Sequence, residues 1–172
     1  MKNKQKRLLL WICSFLAGIV LLIAVGGIYV SDYYHADKIA MDALTYSKDI
    51  SIQELEDGVT AYIPENRKAG LIFYPGGKVQ YEAYAPLMEA LAEEGILCVL
   101  LHMPANLAVL DMNAADGIAE KFPEIDCWYI GGHSLGGSMA ASYLSKNADE
   151  LDGLILLGSY STADVSDSAV LS

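Results

Sequence analysis

The sequence is poor in the residues that staple a small protein together. Its three cysteines, Cys13, Cys98 and Cys127, are odd in number and far apart, so they form neither a disulfide framework nor a metal-ligand cluster. There is no Cys-x-x-Cys and no His-x-x-x-His, so no structural zinc site is expected and no cofactor is implied. Basic residues are scarce: 11 Lys and Arg stand against 22 Asp and Glu, a net charge of −11. That balance excludes nucleic acid as a partner, because phosphate binding needs clustered Lys and Arg. Charged residues make up 19% of the chain and apolar residues 53%. A disordered chain has too little apolar surface to build a core, so this composition excludes one. A length of 172 residues allows one ordinary domain, or a smaller one with an appendage.

Charge is unevenly placed. No acid precedes Asp32, and Lys2, Lys4, Lys6 and Arg7 supply four of the eleven basic residues. Leu8 to Val30 carries no charge over 23 residues. At about 1.5 Å rise per residue a helix of that length covers the roughly 30 Å hydrocarbon core of a bilayer. A cleaved signal peptide has a shorter apolar region, about 7–15 residues, and ends in a small-x-small site. Ala24-Val25-Gly26 matches that site poorly, and an uncleaved signal anchor is the reading preferred. The basic tip, residues 1–7, then stays cytoplasmic, and the body faces outward. From residue 31 onward that body holds seven basic and 22 acidic residues, a balance of −15.

Residues 31–49 read as a juxtamembrane linker helix. Ile39, Ala43 and Leu44 share one face, and Asp37, Lys38, Asp42 and Lys48 face solvent. Residues 50–172 read as the domain. Ile50–Glu56 and Val59–Ile63 flank Asp57-Gly58, a pair that predicts a two-residue hairpin with both turn positions at φ > 0. Short apolar runs then recur near 70–74, 96–101, 127–131 and 153–158. Amphipathic helical patterns separate them at Tyr84–Glu94, Asn113–Phe122 and Leu135–Lys146. Strands buried on both faces have this composition, and helical crossovers make them parallel. The fold class is therefore α/β, a mostly parallel sheet flanked by helices that begins in a hairpin.

Chemistry concentrates in Cys127-Trp128-Tyr129-Ile130-Gly131-Gly132-His133-Ser134-Leu135-Gly136-Gly137. It contains Gly132-x-Ser134-x-Gly136 between an expected strand and an expected helix, the context a nucleophile elbow requires. Glycine at 132 and 136 lets neighbouring backbone approach closely. Ser134 then sits near a helix N-terminus, which favours developing negative charge. A serine nucleophile needs an oxyanion hole. The N–H of Leu135 is one expected donor. The second belongs in Tyr74-Pro75-Gly76-Gly77-Lys78, with Gly77 preferred over Lys78. A phosphate-binding loop is rejected there, because the required earlier glycine and the following Ser or Thr are missing.

With FYPGGKV, MPANLAVL and GGHSLGG in place, the chain resembles the alpha/beta-hydrolase superfamily, and more narrowly its small bacterial, membrane-anchored members. The resemblance runs from about Ile50 to the last residue. It implies esterase-like hydrolysis of a small-molecule acyl substrate through an acyl-enzyme on Ser134, with Gly77 and Leu135 as oxyanion donors. An acyltransferase or thioesterase on the same fold remains open.

One departure qualifies the resemblance. The family's triad runs Ser, then an acid after a later strand, then His. Only 38 residues follow Ser134 and none is His. Ala169-Val170-Leu171-Ser172 reads as the first residues of another strand, so the domain is expected to be C-terminally incomplete, with acid and base lying further on. His133 is expected to support the elbow. His102, at the end of a strand, is the remaining candidate base. His35 falls in the linker, and Asp164 and Asp167 precede the expected place of the acid. The alternative is a non-catalytic binding module that keeps the fold without a complete triad.

Overall fold

The computed structural model describes residues 2–44 and 49–172, so Lys48 of the expected linker helix lies outside the described residues. The chain divides into two compact units, the first ending at Asp32 and the second covering Tyr33–Ser172.

The first unit is one helix, α1 (Lys2–Ser31). Its Lys4–Ser31 stretch, with a mean hydropathy of 2.9, is long and apolar enough to cross a membrane. Large apolar side chains such as Trp11, Phe15 and Leu22 are exposed along it.

The second unit is a seven-stranded sheet in the order β1-β2-β4-β3-β5-β6-β7. The strands are β1 (Ile50–Glu54), β2 (Thr60–Pro64), β3 (Ala69–Tyr74), β4 (Ile96–Leu100), β5 (Trp128–His133), β6 (Gly153–Leu157) and β7 (Ala169–Leu171). β2 is antiparallel to both β1 and β4, and every other pairing is parallel. Side chains alternate between faces, and in β2, β3 and β4 both faces are buried, which is why β3 and β4 read as continuous apolar runs. Ile72, Tyr74, Leu97, Val99 and Ile130 belong to one core, which includes residues of α4 (Leu135–Leu144). Leu71, Phe73, Cys98 and Leu100 belong to the other, with α3 (Ala85–Glu93). A fully buried Ile or Leu contributes about 2 kcal/mol relative to exposure.

The faces are not equally covered. On the α3 side an apolar groove of about 550 Å³ remains beside β5, β6 and β7, lined by Phe73, Leu87, Tyr129, Ile155, Leu157 and Val170. All three residues of β7 are exposed.

Four details differ from the sequence expectations. The hairpin closes with a three-residue loop, Glu56–Gly58, inside a Leu55 N–H to Val59 carbonyl bond of 2.7 Å. Gly58 at φ 74° supplies the left-handed residue that such a loop places last. Asn113–Phe122 is no α-helix: it is a chain of turns ending in a 3-10 turn at Ala119–Lys121. Its bonds span three residues, as from Ile118 N–H to the Ala115 carbonyl at 3.2 Å, and Gly117 at φ 70° interrupts any helix. Of the four side chains that its apolar spacing turns inward, Ala115, Ile118 and Phe122 are nevertheless buried, and Ala119 is half-buried against the same core. β5 begins at Trp128 and runs on to His133, because its pairing with β3 and β6 extends to Gly132 and His133.

The fourth detail is the linker. Its helix, α2 (Lys38–Asp42), has five residues, capped by the Asp37 carboxylate accepting from the Ala40 N–H at 2.9 Å. Ala43 is buried and Leu44 packs against the same core, as the expected stripe has them, but Ile39 is 72% exposed and the buried Ala40 takes its place. Ahead of it the chain is extended. Tyr34 donates to the Lys78 carbonyl at 2.8 Å and accepts from the Gln80 N–H at 2.9 Å. The segment is thus paired with the loop that follows β3.

Candidate active site

Both site segments lie at the C-terminal edge of the parallel strands. β3 and β5 are direct neighbours, with Tyr74 opposite Gly132. Their following loops are therefore adjacent: Pro75–Lys78 after β3, and Ser134 after β5.

Ser134 occupies a sharp strand-to-helix turn with φ 50° and ψ −121°. A non-glycine residue there costs about 1–3 kcal/mol and persists only when its surroundings hold it. Three bonds do so. The Ser134 N–H donates to the Leu157 carbonyl at 3.0 Å, and the Ser134 carbonyl accepts from the Ser138 N–H at 3.3 Å and from Ser159 Oγ at 2.7 Å. Ser138 Oγ in turn donates to the Tyr160 carbonyl at 2.9 Å, tying the loop after β6 to α4. Ser134 precedes the first residue of α4, yet its hydroxyl makes no capping bond and is exposed.

The glycines are explained by what a side chain would strike. A Cβ on Gly136 would lie 2.3 Å from the carbonyl oxygens of Tyr74 and Pro75. A Cβ on Gly132 would lie 2.6 Å from the Tyr74 oxygen and from the Gly136 carbonyl carbon. Both obstacles are backbone, so neither can turn aside.

The loop after β3 has three amides in succession. The Gly76 N–H donates to the Tyr84 hydroxyl at 3.0 Å, and the Lys78 N–H donates to the Asn106 carbonyl at 2.8 Å. The Gly77 N–H between them has no acceptor among the described residues. Leu135 lies beside it: a Cβ on Gly77 would be 2.9 Å from Leu135 Cδ2 and 3.7 Å from Leu107 Cδ2. Lys78, the second choice from sequence, is thus committed elsewhere, while Gly77 and Leu135 meet.

The histidines separate. His133 Nδ1 is 2.9 Å from the Tyr84 hydroxyl. His102 is exposed, its ring centroid 4.6 Å from that of Tyr81. It lines a cleft of about 270 Å³ with Glu56, Asp111, Asn113, Asp116 and Lys121. The His35 ring lies 4.4 Å, centroid to centroid, from that of Tyr33 and is tilted 50° to it. Asp164 and Asp167 are exposed, and the Asp164 carboxyl is held below its ordinary range by bonds from Ser166. Among the described residues none donates to or accepts from the Ser134 hydroxyl. No group of three or more His, Cys, Asp or Glu among them could hold a metal ion.

Sequence reasoning missed Tyr84 and Ser159. Tyr84 stands in a helical pattern, where its ring suggests core rather than a link to another loop. Burial raises its phenol above the ordinary value, so it is a neutral hydroxyl at physiological pH. Ser159 lies 25 residues from Ser134 and touches it only because β6 pairs with β5.

A search of the curated proteins finds no match to the sequence. Solved structures similar in fold include TT1662 from Thermus thermophilus, 19% identical over 73% of this chain and 64% of that one, with a TM-score of 0.56. A bacterial heroin esterase is 22% identical over 69% of this chain and 47% of its own, at 0.51. Carboxyl esterase 2 from the mycorrhizal fungus Tuber melanosporum is 15% identical over 74% of this chain and 49% of its own, at 0.53. The chain therefore spans less than two thirds of the length of each. The sequence model of the alpha/beta hydrolase family matches residues 70–172, from β3 through the elbow to β7. With that match over more than half its length and the same fold around it, the chain belongs to the alpha/beta hydrolase family.

Proposed function

We propose that the protein is a membrane-anchored serine hydrolase that cleaves small-molecule carboxylic esters through an acyl-enzyme on Ser134. The observation that carries this reading is the backbone of Ser134, held at φ 50° on a strand-to-helix turn with its hydroxyl exposed. Strain of this kind is retained where it aims a side chain. Ser134 Oγ attacks the ester carbonyl carbon and gives its proton to a general base, a role for which no described residue is hydrogen-bonded to the hydroxyl. The carbonyl oxygen becomes an oxyanion that accepts from the Gly77 and Leu135 N–H groups. The tetrahedral intermediate collapses, the alcohol leaves, and water hydrolyses the acyl-enzyme. Two of the structures similar in fold are esterases by name, which agrees with an ester substrate without fixing it.

The anchor is α1, and the positive-inside tendency of Lys2, Lys4, Lys6 and Arg7 supports an extracytoplasmic body. A reporter active only in the cytoplasm, fused after Ser172, is expected to be silent, and an active one refutes that topology.

The decisive test of the reaction is covalent labelling by an alkyl fluorophosphonate, read by intact mass. No described residue activates Ser134, so the 172-residue chain is expected to label slowly, to label faster when imidazole is supplied as a diffusible base, and not at all as Ser134→Ala. Labelling that survives Ser134→Ala overturns the assignment. A second reading, a binding module on the hydrolase fold, is favoured by one observation: His133 and His102 are engaged with Tyr84 and Tyr81. Absence of labelling even with imidazole supports it.

A further inference from the structure

The elbow and the oxyanion loop come from different strands, and a single hydroxyl bridges them. Tyr84 sits just before α3 and places its oxygen 3.0 Å from the Gly76 nitrogen and 2.9 Å from His133 Nδ1. A phenol oxygen has one proton to give and can accept another bond. It accepts from the Gly76 N–H, and the imidazole tautomer sets which way its bond with His133 Nδ1 runs. The Tyr84 ring is fixed in turn by Phe73, centroid to centroid 5.2 Å. Space is tight around the link: a Cβ on Gly76 would lie 2.6 Å from His133 Nδ1 and 2.7 Å from the Tyr84 oxygen. The chain Gly76 N–H to Tyr84 O–H to His133 thus joins the residue before Gly77 to the residue before Ser134.

We infer that Tyr84 and His133 are positioning residues, whose hydrogen-bonded link sets the Gly77 amide relative to the Ser134 hydroxyl. The inference rests on the serine hydrolase reading for its catalytic meaning. The link itself stands on geometry. Neither side chain touches the reacting atoms. An oxyanion donor works only when aimed at the place where charge develops, and losing one outright costs about 10²–10³ in rate. A donor left in place but unaimed costs less, about tenfold or more.

Two measurements test it. The first is amide NMR of the whole chain with Tyr84→Phe, which removes one oxygen and leaves the ring on Phe73. The Gly76 and Gly77 amide signals are expected to shift, and the Gly76 amide to exchange faster with solvent. The second is fluorophosphonate labelling with imidazole present. The rate constant of bond formation is expected to fall about tenfold in Tyr84→Phe, with the concentration for half-saturation unchanged. His133→Leu is expected to match it, and His133→Asn, which keeps a hydrogen-bonding group near the Nδ1 position, to lose less. The double variant Tyr84→Phe, His133→Leu is expected to be no slower than either single one, as for two members of one link. Glycine amides that stay unmoved in Tyr84→Phe overturn the link, whether or not the protein labels. Full labelling rate in a folded Tyr84→Phe, or additive losses in the double variant, overturn its positioning role. Loss of Ser134-dependent labelling in the wild-type chain, with the amide shifts present, strikes the hydrolase reading and leaves the link standing.

Discussion

The elbow and the β6–β7 edge belong to one sheet and are built oppositely. At the elbow, backbone packs on backbone: Gly132 and Gly136 press against the carbonyls of Tyr74 and Pro75, with no room for a methyl group. At the edge, the apolar groove beside Leu157 and Val170 is open, and Val170 and Leu171 are 45% and 68% exposed. The elbow tolerates almost nothing because its geometry is over-determined by contacts that cannot yield. The edge tolerates much because little rests on it. Precision in this molecule is local, and it is concentrated where two loops must meet.

The sharpest way to break that contrast is Gly136→Ala. Its Cβ meets backbone at 2.3 Å, and overpacking that cannot relax is expected to cost about 3 kcal/mol. A denaturation midpoint equal to wild type would show that the elbow is looser than its contacts imply. Gly117→Ala is the control: nothing lies within 4 Å of its Cβ, and only the φ of 70° resists it, so about 1 kcal/mol is expected.

Alkaline pH acts next, on the buried interior. Burial raises the phenols of Tyr62, Tyr74 and Tyr84 above the ordinary 10.0. Below pH 10 these groups are neutral whether the chain is folded or not, and their burial carries no pH dependence. Above it the unfolded chain releases protons that the fold retains. Stability is therefore expected to fall as pH rises through about 10 and beyond. Tyrosinate absorbance that rises in step with loss of near-ultraviolet circular dichroism checks it, and early ionisation of all three phenols in a folded protein contradicts it.

Ser134→Gly moves the other way. Glycine adopts φ 50° freely, so stability is expected to rise by about 1 kcal/mol as labelling vanishes. A destabilised Ser134→Gly chain would mean that the serine side chain supports the turn. The smallest effect is expected at the edge. Val170→Lys should change stability by under about 0.5 kcal/mol. It should reduce self-association seen by light scattering, since a charge on an exposed edge opposes strand-to-strand pairing.

The same contrast governs what could be read from the sequence. β3, β4 and the elbow were legible because their signals are local: an apolar run, then glycines at fixed spacing around a serine. The inward residues of 113–122 were legible too, but not their conformation, because Gly117 turns the chain without disturbing which side chains face the core. That the Lys78 amide is engaged could not be read from the sequence, because its acceptor, Asn106, lies 28 residues further on. Tyr84 and Ser159 were invisible for the same reason. Their roles are set by which strands lie side by side, and no short pattern encodes that.

The strand order also dictates a timetable. The hairpin β1–β2 can close as soon as Pro64 has left the ribosome, since its partners are close in sequence. β3 cannot: its neighbours are β4 and β5, and the second of these ends at His133. Until then the apolar run from Ala69 to Tyr74 has at most one of its two partners. Loop-closure entropy must be met before such distant pairings repay it. The nascent chain therefore carries its future central strand unpaired and then half-paired through the synthesis of some sixty residues, and it completes the sheet's middle at the same moment as it makes the turn at Ser134.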